Sequence, residues 1–267
     1  MAIDTIKAAE LLLEAYRTGP IPPLTQTFGD FTLEQAYQIQ LRQVDQWQRD
    51  GRVIKGHKVG LTSLVMRRQI GVDQSDYGHL TDAMFHLDSE PIDLGRYLQP
   101  RIEPEVAFVL GKDLAGPITA ADAAAAVAFV LPALELIDSR IRDWKITLVD
   151  TVADNASSGG VILGNCPHPL AGVDLALGGC LLTKNGRLAE TGAGGAVLGH
   201  PLNAVVWLAN TVAEQGVTLR AGDVILPGSI TASLPVAPGD TVTATFAGLG
   251  SVTAPFAAST VAASTVE

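Results

Sequence analysis

Apolar residues near the start of the chain are spaced as in amphipathic helices. Residues 3–17 show this spacing, and a Gly- and Pro-rich stretch follows them. Thr32 then begins a second such segment with a capping-box sequence, which continues to about residue 49. The pattern predicts two helices that form an N-terminal helical cap over residues 1–52.

From residue 53 onward the pattern changes to short apolar runs separated by turn sequences. These runs indicate strands mixed with a few helices, and so an α+β core over residues 53–256. The Ala-, Ser- and Thr-rich residues 257–267 are predicted to be a disordered tail. The individual predictions are strands at 53–61, 101–110, 133–138 and several within 220–256, a hairpin at 181–191, helices at 63–69, 120–130 and 202–215, and polar loops at 71–80 and 150–160.

The strand predicted at 101–110 carries two carboxylates at its beginning. Side chains two residues apart in a strand point to the same face, so Glu103 and Glu105 share one face and the apolar Val106 and Phe108 occupy the other. A second apolar strand, 133–138, carries Glu135 between two leucines.

Charged side chains in apolar strands need a partner or a bound cation. Three converging carboxylates would repel one another, and a divalent cation would remove that repulsion. Oxygen-only ligands favour Mg²⁺ or Mn²⁺ over zinc. Pairing with Arg101 or Arg140 is the alternative, and spacing alone leaves the two interpretations equally open.

Lys58 lies in the first predicted strand of the core, between Gly56 and Gly60. The glycines allow backbone or a ligand to approach closely. A lysine in this setting is either a surface residue with a buried stem or a functional group, and the local sequence does not decide between them.

Composition restricts the function classes. The 267 residues allow one large domain or two small ones, with 47% hydrophobic and 17% charged residues. The net charge of −10 argues against nucleic acid and anionic membranes as partners. Cys166 and Cys180 provide no disulfide framework, which together with the lack of a signal-peptide pattern favours a cytoplasmic location.

Several common catalytic motifs do not fit. The glycine-rich stretch at 192–199 follows a hairpin and matches neither a dinucleotide fingerprint nor a phosphate loop. The five histidines are scattered without metal spacing, and there is no Gly-x-Ser-x-Gly elbow.

Five motifs, in order along the chain, resemble one family. The sequence from about residue 5 to 256 is similar to the 2-keto-4-pentenoate (2-hydroxypenta-2,4-dienoate) hydratases of the fumarylacetoacetate hydrolase superfamily, a group that is close to the 4-oxalocrotonate decarboxylases. The motifs are Gly-His-Lys-Val-Gly-Leu-Thr-Ser at 56–63, Gly-Val-Asp-Gln-Ser-Asp-Tyr-Gly at 71–78, Arg-Ile-Glu-Pro-Glu at 101–105, Glu-Leu-Ile-Asp-Ser-Arg at 135–140 and Val-Ala-Asp-Asn-Ala-Ser-Ser at 152–158.

The resemblance implies a mixed β-roll core with packed helices, a homo-oligomer, and a small-molecule 2-hydroxydienoate substrate. An association with a neighbouring enzyme of the same pathway is left open. The implied site consists of Glu103, Glu105 and Glu135 as ligands of Mg²⁺ or Mn²⁺, Lys58 and Asp76 as catalytic groups, and Ser157, Ser158 and, more weakly, Ser229 as substrate contacts.

The reaction implied is hydration of a 2-hydroxy-2,4-dienoate from aromatic or steroid breakdown to a 4-hydroxy-2-oxo acid. The alternative is decarboxylation of 4-oxalocrotonate, which needs a cationic pocket for a second carboxylate that Arg140 or Arg142 could supply. A C–C hydrolase would need a Glu/His pair that the motifs lack. A purely structural partner subunit would have no need of the glutamates and Lys58.

Overall fold

A computed structural model describes residues 3–258, without the side chains of Met66, Gln69 and Ile70. The N-terminal helices begin at side-chain caps, Asp4 for the first and a Thr32–Gln35 capping box for the third. The α-helices are α1 (Thr5–Thr18), α2 (Leu24–Phe28), α3 (Leu33–Arg49), α4 (Leu64–Ile70), α5 (Ala120–Ala126), α6 (Leu148–Ala153) and α7 (Leu202–Ala213).

The strands form a larger mixed sheet and a smaller antiparallel one. They are β1 (Ile54–Gly60), β2 (Asp76–Thr81), β3 (Phe85–Leu87), β4 (Arg101–Leu110), β5 (Val127–Ile137), β6 (Ser158–Leu163), β7 (Gly179–Lys184), β8 (Arg187–Ala193), β9 (Val224–Leu226), β10 (Leu234–Pro235), β11 (Thr241–Phe246) and β12 (Gly250–Pro255). The main sheet has the order β2-β1-β9-β4-β5-β6-β3, with β10 added beside β4. The second sheet has the order β12-β11-β7-β8.

The two faces of the main sheet lead to different environments. Along β4, Ile102, Val106 and Phe108 pack into a core shared with the second sheet and with α7. The alternating residues point to the opposite face, which we call the inner face and which carries Glu103 and Glu105. Deeper along the inner face lies an apolar cluster of Leu80, Ala107, Leu131, Ala133, Val161, Val224 and Leu226.

The N-terminal helices have a hydrophobic cluster of their own. Side chains of α1 and α3 pack together and against Val152 and Ala153 of α6. The two predicted helices are therefore confirmed, and α6 connects their packing to the motif at 152–158. The predicted division of the chain at residue 52 stays a prediction.

The predicted hairpin at 181–191 is confirmed as β7 and β8. Asn185 and Gly186 both have positive φ, 54° and 74°, as a type I′ turn requires. Most of the predicted tail, residues 259–267, lies outside the described residues.

Two of the predicted loops contain regular structure. The segment 71–80 includes β2, all of whose residues are buried. Its polar side chains conceal the strand pattern because they face buried partners in place of water, as His79 faces His57 on β1. The loop predicted at 150–160 contains the end of α6 and the start of β6.

The helix predicted over 120–130 is too long. It ends at Ala126, where the alanine-rich segment gives way to valine, phenylalanine and leucine, and β5 begins at Val127. β-branched and aromatic side chains pack better on a sheet than in a helix, and here they pair with β4. Within residues 3–258, no helix is both long and apolar enough to cross a membrane.

Candidate metal centre and active site

Three glutamates converge on the inner face, as the strand alternation predicts. Glu103 of β4 and Glu135 of β5 are direct cross-strand partners, and Glu105 follows Glu103 on the same face. One carboxylate oxygen from each lies within 4.8 Å of the others. Glu105 and Glu135 are fully buried, whereas Glu103 is only partly buried. The cluster therefore opens toward the Glu103 side.

Most of these buried oxygens have no protein partner. Among the described residues, Oε1 of Glu105 and both oxygens of Glu135 accept no hydrogen bond. Oε2 of Glu105 is the exception, since it accepts the backbone N–H of Gly228 at 2.8 Å. Buried anionic oxygens without donors are costly unless a cation compensates them.

The pKa values of the glutamates also indicate that the cluster lacks compensating positive charge. Burial and the charge of Glu135 raise the pKa of Glu103 to about 7. Burial, Glu135 and Glu103 together raise the pKa of Glu105. In the absence of a cation, neither burial nor the neighbouring negative charges favour ionisation of Glu103 and Glu105.

Lys58 lies beside the cluster and is buried. Its Nζ is 3.4 Å from Oε1 of Glu135, at ion-pair distance but without hydrogen-bond geometry. Burial alone would lower the pKa of Lys58, but Glu135, Asp76 and the other glutamates outweigh it and the pKa is raised. Lys58 is therefore a buried lysine beside the glutamate cluster and not a surface residue, while its catalytic role stays a prediction.

Asp76, the first residue of β2, completes the charged group. A Cβ atom on Gly60, its neighbour across the ladder, would lie 2.1 Å from its Oδ1, so only glycine leaves room for this carboxylate. Oδ1 is buried and accepts no hydrogen bond in the described part of the chain. Burial raises the pKa of Asp76, while Lys58 opposes the shift.

The three serines predicted to contact substrate have different surroundings. Ser158 lies near Lys58, because its Oγ packs against Gly78, which pairs with Lys58 across the β1–β2 ladder. The hydroxyl of Ser157 forms its hydrogen bonds with Asp154 and Thr151, not with a site carboxylate. Ser229 follows Gly228, and its hydroxyl donates to the carbonyl of Thr231 at 2.8 Å.

Arg140 does not pair with the glutamates. Its guanidinium is fully buried and donates to both the carboxylate and the carbonyl of Asp154, and to the carbonyl of Ser158. These bonds hold the turn between α6 and β6, where Asn155, Ala156 and Ser157 all have positive φ. Arg142 is exposed and donates to the carbonyl of Pro20.

Sequence reasoning missed two contacts in this region. The Gly228 N–H that binds Glu105 was not identified, although the Pro227-Gly228 turn signal marks that loop. Trp144 was not connected with the site, yet its ring lies 5.8 Å from the guanidinium carbon of Arg101. Neither contact has a local signal, because both depend on how distant segments come together.

The residues present fit a divalent cation. The cluster offers oxygen donors only, with charge in excess and three buried oxygens that lack protein donors. Hard cations such as Mg²⁺, Mn²⁺ and Ca²⁺ take ligands of this kind, whereas zinc sites usually include nitrogen or sulfur.

Comparison with known proteins places this geometry in a family context. Residues 73–257 match the family model described as fumarylacetoacetate (FAA) hydrolase C-terminal. The 2-keto-4-pentenoate hydratase of Paraburkholderia xenovorans (strain LB400) is 46% identical over 252 residues, which cover 94% of each chain. The 2-hydroxyhexa-2,4-dienoate hydratase of Comamonas testosteroni is 42% identical, with 92% of this chain and 94% of the relative covered.

A solved structure with a different named activity is also similar. The 4-oxalocrotonate decarboxylase from Pseudomonas putida G7, complexed with magnesium and adipate, superposes with a TM-score of 0.91. It is 40% identical, and the match covers 94% of this chain and 97% of that one.

Proposed function

The chain belongs to the fumarylacetoacetate hydrolase family, and from that premise we propose that it is a metal-dependent hydro-lyase that hydrates a 2-hydroxy-2,4-dienoate. The observation that carries the proposal is the inner-face cluster of three glutamates beside Lys58 and Asp76. Relatives with more than 40% identity over nearly the whole chain are named as hydratases of such substrates. The product is a 4-hydroxy-2-oxo acid, as expected for a step in aromatic catabolism.

Glu103, Glu105 and Glu135 would hold one divalent ion, Mg²⁺ or Mn²⁺. When bound, such an ion supplies Lewis-acid stabilisation of negative charge that develops on the 2-oxygen of the substrate, worth several kcal/mol. The N–H of Gly228 fixes the orientation of the Glu105 carboxylate by binding its second oxygen. The partly buried side of Glu103 leaves an approach for the substrate.

The reaction requires two protonations of carbon and one addition of hydroxide. A proton is added at C5 while the 2-hydroxyl group loses its own proton, which converts the dienol into the 2-oxo-3-enoate. Water then gives its hydroxyl to C4 and a proton to C3. Asp76 is suited to hold and exchange such a proton at Oδ1, because burial raises its pKa toward the working range.

Lys58 acts as a fixed cation in this scheme. The carboxylates around Lys58 favour its charged ammonium form, which can bind or donate to an anionic substrate. Ser158, which packs against Gly78 near Lys58, and Ser229, beside Gly228, are proposed as contacts along the bound substrate. Ser157 is proposed with them, through its place in the same turn.

Decarboxylation of 4-oxalocrotonate is the second candidate, favoured by the similarity to the Pseudomonas putida G7 decarboxylase. That reaction requires a binding group for a second carboxylate. The two arginines that the sequence suggested are unsuitable, because Arg140 is saturated by Asp154 and Ser158, and Arg142 is exposed beside Pro20. A substrate with a neutral tail therefore fits these residues better.

The proposal is tested by removing and restoring the metal while following the product. Enzyme dialysed against EDTA should fail to convert 2-hydroxypenta-2,4-dienoate, and Mg²⁺ or Mn²⁺ should restore formation of 4-hydroxy-2-oxopentanoate, identified by NMR. Full turnover by a preparation shown to be metal-free would contradict the proposal.

Homo-oligomer formation and association with a neighbouring pathway enzyme remain predictions from the family resemblance. Light scattering coupled to size-exclusion chromatography measures the first directly. A cytoplasmic location remains a prediction from the cysteine content and the N-terminal sequence pattern.

A further inference from the structure

Arg101 stands on the same face as the glutamate cluster. It is the first residue of β4 and lies two positions before Glu103, so the two side chains point to the inner face about 7 Å apart along the strand. The residue is partly buried, like Glu103, and thus lies at the open side of the cluster. Its charge acts on Glu103, since it opposes the upward shift in the pKa of that carboxyl.

The guanidinium of Arg101 has unused donors. Its Nε is buried and has no hydrogen-bond partner among residues 3–258, and no carboxylate in that span lies within 4.0 Å of its nitrogens. Lys58, in contrast, is paired with Glu135, and Arg140 is fully engaged by Asp154. A buried donor that lacks an acceptor is destabilising, and an anionic ligand would satisfy it.

Trp144 holds the guanidinium in place. The arginine carbon lies 5.8 Å from the centroid of the Trp144 ring, within the range of a cation–π contact. The indole Nε1 donates to the carbonyl of Gln99 at 3.1 Å, and the side-chain oxygen of Gln99 accepts the N–H of Asp143 at 2.8 Å. Gln99 therefore binds both the indole of Trp144 and the backbone of the preceding residue.

The backbone beneath this ring is in an unfavourable conformation. Asp143 and Trp144 are consecutive non-glycine residues with φ of 59° and 56°, a left-handed conformation that side chains other than glycine rarely adopt. Their hydrogen bonds to Gln99 maintain this conformation, and its structural result is to set the indole against Arg101.

We propose that Arg101 binds the carboxylate of the substrate, and that Trp144 is the positioning residue that holds its guanidinium for this contact. The inference rests on the proposed function for the identity of the ligand, an unsaturated 2-oxo or 2-hydroxy monocarboxylate. The guanidinium presents planar paired donors, which match the geometry of a carboxylate. Because Arg101 lies next to Glu103, we assign it to the substrate carboxylate nearest the glutamate cluster, not to a second carboxylate at the far end of a dicarboxylate.

The sharpest test compares a charged ligand with a neutral one. In Mn²⁺-loaded enzyme, titration calorimetry measures binding of 2-oxopentanoate and of 2-oxopentanamide, which differ only in the carboxylate. Arg101→Gln should weaken binding of the acid by about 10- to 100-fold, the range for a charge-assisted hydrogen bond, and that of the amide by less than about threefold. The affinity of Arg101→Lys for the acid should lie between those of the wild type and Arg101→Gln, because lysine retains the charge but lacks the planar guanidinium.

Steady-state kinetics provides an independent measurement. In Arg101→Gln the KM for 2-hydroxypenta-2,4-dienoate should rise by about tenfold or more while kcat changes little, as expected when binding is lost equally from the ground and transition states. Trp144→Leu should also raise the KM, by less than Arg101→Gln does. Trp144→Phe keeps an aromatic face, and its KM should be close to that of the wild type. Arg142→Gln is the matched control and should leave the KM unchanged, because Arg142 lies in the same loop as Trp144 but is exposed.

Two results would overturn the inference. They are unchanged binding of the acid by Arg101→Gln, and equal weakening of the binding of acid and amide. Failure of the proposed function is separate, since a wild-type enzyme that binds 2-oxopentanoate through Arg101 yet does not hydrate the dienoate would refute the hydratase assignment alone.

Discussion

At the residue scale, the site is defined by charges that the protein leaves uncompensated. Oε1 of Glu105 and both oxygens of Glu135 accept no hydrogen bond among the described residues, and Lys58 alone cannot neutralise three carboxylates. The sequence predicted which side chains share the face, because strand alternation has an exact period of two. It did not predict which cations approach them, since Lys58 and Arg140 have equally plausible partners until the chain is folded.

Glu105→Gln should separate metal binding from folding. Loss of one charged ligand should raise the Kd for Mn²⁺ by tenfold or more, while the amide oxygen can still accept the N–H of Gly228. The metal-free variant should melt at pH 8 at a temperature no lower than the metal-free wild type, because one repulsive charge is removed. Mn²⁺ titration by electron paramagnetic resonance and thermal melts provide the measurements.

Glu90→Gln, at an exposed site, is the control and should change neither quantity. If Glu105→Gln bound Mn²⁺ as tightly as the wild type, Glu105 would not be a ligand.

Lys58→Ala should reduce kcat/KM by about a hundredfold or more, the usual effect of removing a positioned acid–base or charge-stabilising group. Mn²⁺ affinity should not fall, because removal of a cation leaves the carboxylate cluster more negative. Lys55→Ala is the matched control, since Lys55 lies on the same strand but is exposed. Normal kinetics in a folded Lys58→Ala variant would show that the lysine is structural.

At the scale of elements, apolar alternation predicted β4 and the Asn185-Gly186 turn signal predicted the hairpin, while the polar strand β2 escaped prediction. β2 consists of Asp-Tyr-Gly-His-Leu-Thr, and all six of its residues are buried although most of them are polar. Such a strand has no local signature, because its stability comes from cross-strand contacts that only the register reveals. The same register brings His57 and His79 together on the face opposite Lys58.

This histidine pair should make the protein sensitive to acid. The rings are 4.9 Å apart, Tyr77 packs beside His79, the backbone of His79 bonds to Asn155, and neither Nδ1 has a described partner. Burial lowers the pKa of His79 to about 4 and, together with His79, lowers that of His57. Folding thus favours the neutral rings, so their contribution to stability is complete above pH 6.5 and is lost as the pH falls toward 4.

For His79 alone, the loss between pH 7.5 and 5 is about 2 kcal/mol. Urea unfolding at both pH values should show this fall in the wild type and a smaller fall in His79→Gln, under identical metal conditions. The comparison between the two proteins cancels the opposite contribution of the carboxylates. Equal pH dependence in both would show that His79 is not held neutral by the fold.

At the scale of the whole molecule, the resemblance predicted the fold and the reaction class, and comparison with relatives confirmed them over nearly the whole chain. The net charge of −10 argued against nucleic acid and anionic membranes as partners but did not indicate the cationic side chains that lie beside the glutamate cluster. Motifs alone could not choose between hydration and decarboxylation, because both reactions use the same cluster and lysine. The structure adds that Arg140 is committed to Asp154, which removes one candidate for a second carboxylate.

The most direct test offers the enzyme both substrates under the same conditions. Purified enzyme with Mg²⁺ is incubated separately with 2-hydroxypenta-2,4-dienoate and with 4-oxalocrotonate, and dienol absorbance, released CO₂ and the products are measured. We expect rapid formation of 4-hydroxy-2-oxopentanoate from the first and little CO₂ from the second. Rapid release of CO₂ from the dicarboxylate, with little hydration of the monocarboxylate, would contradict the hydratase assignment.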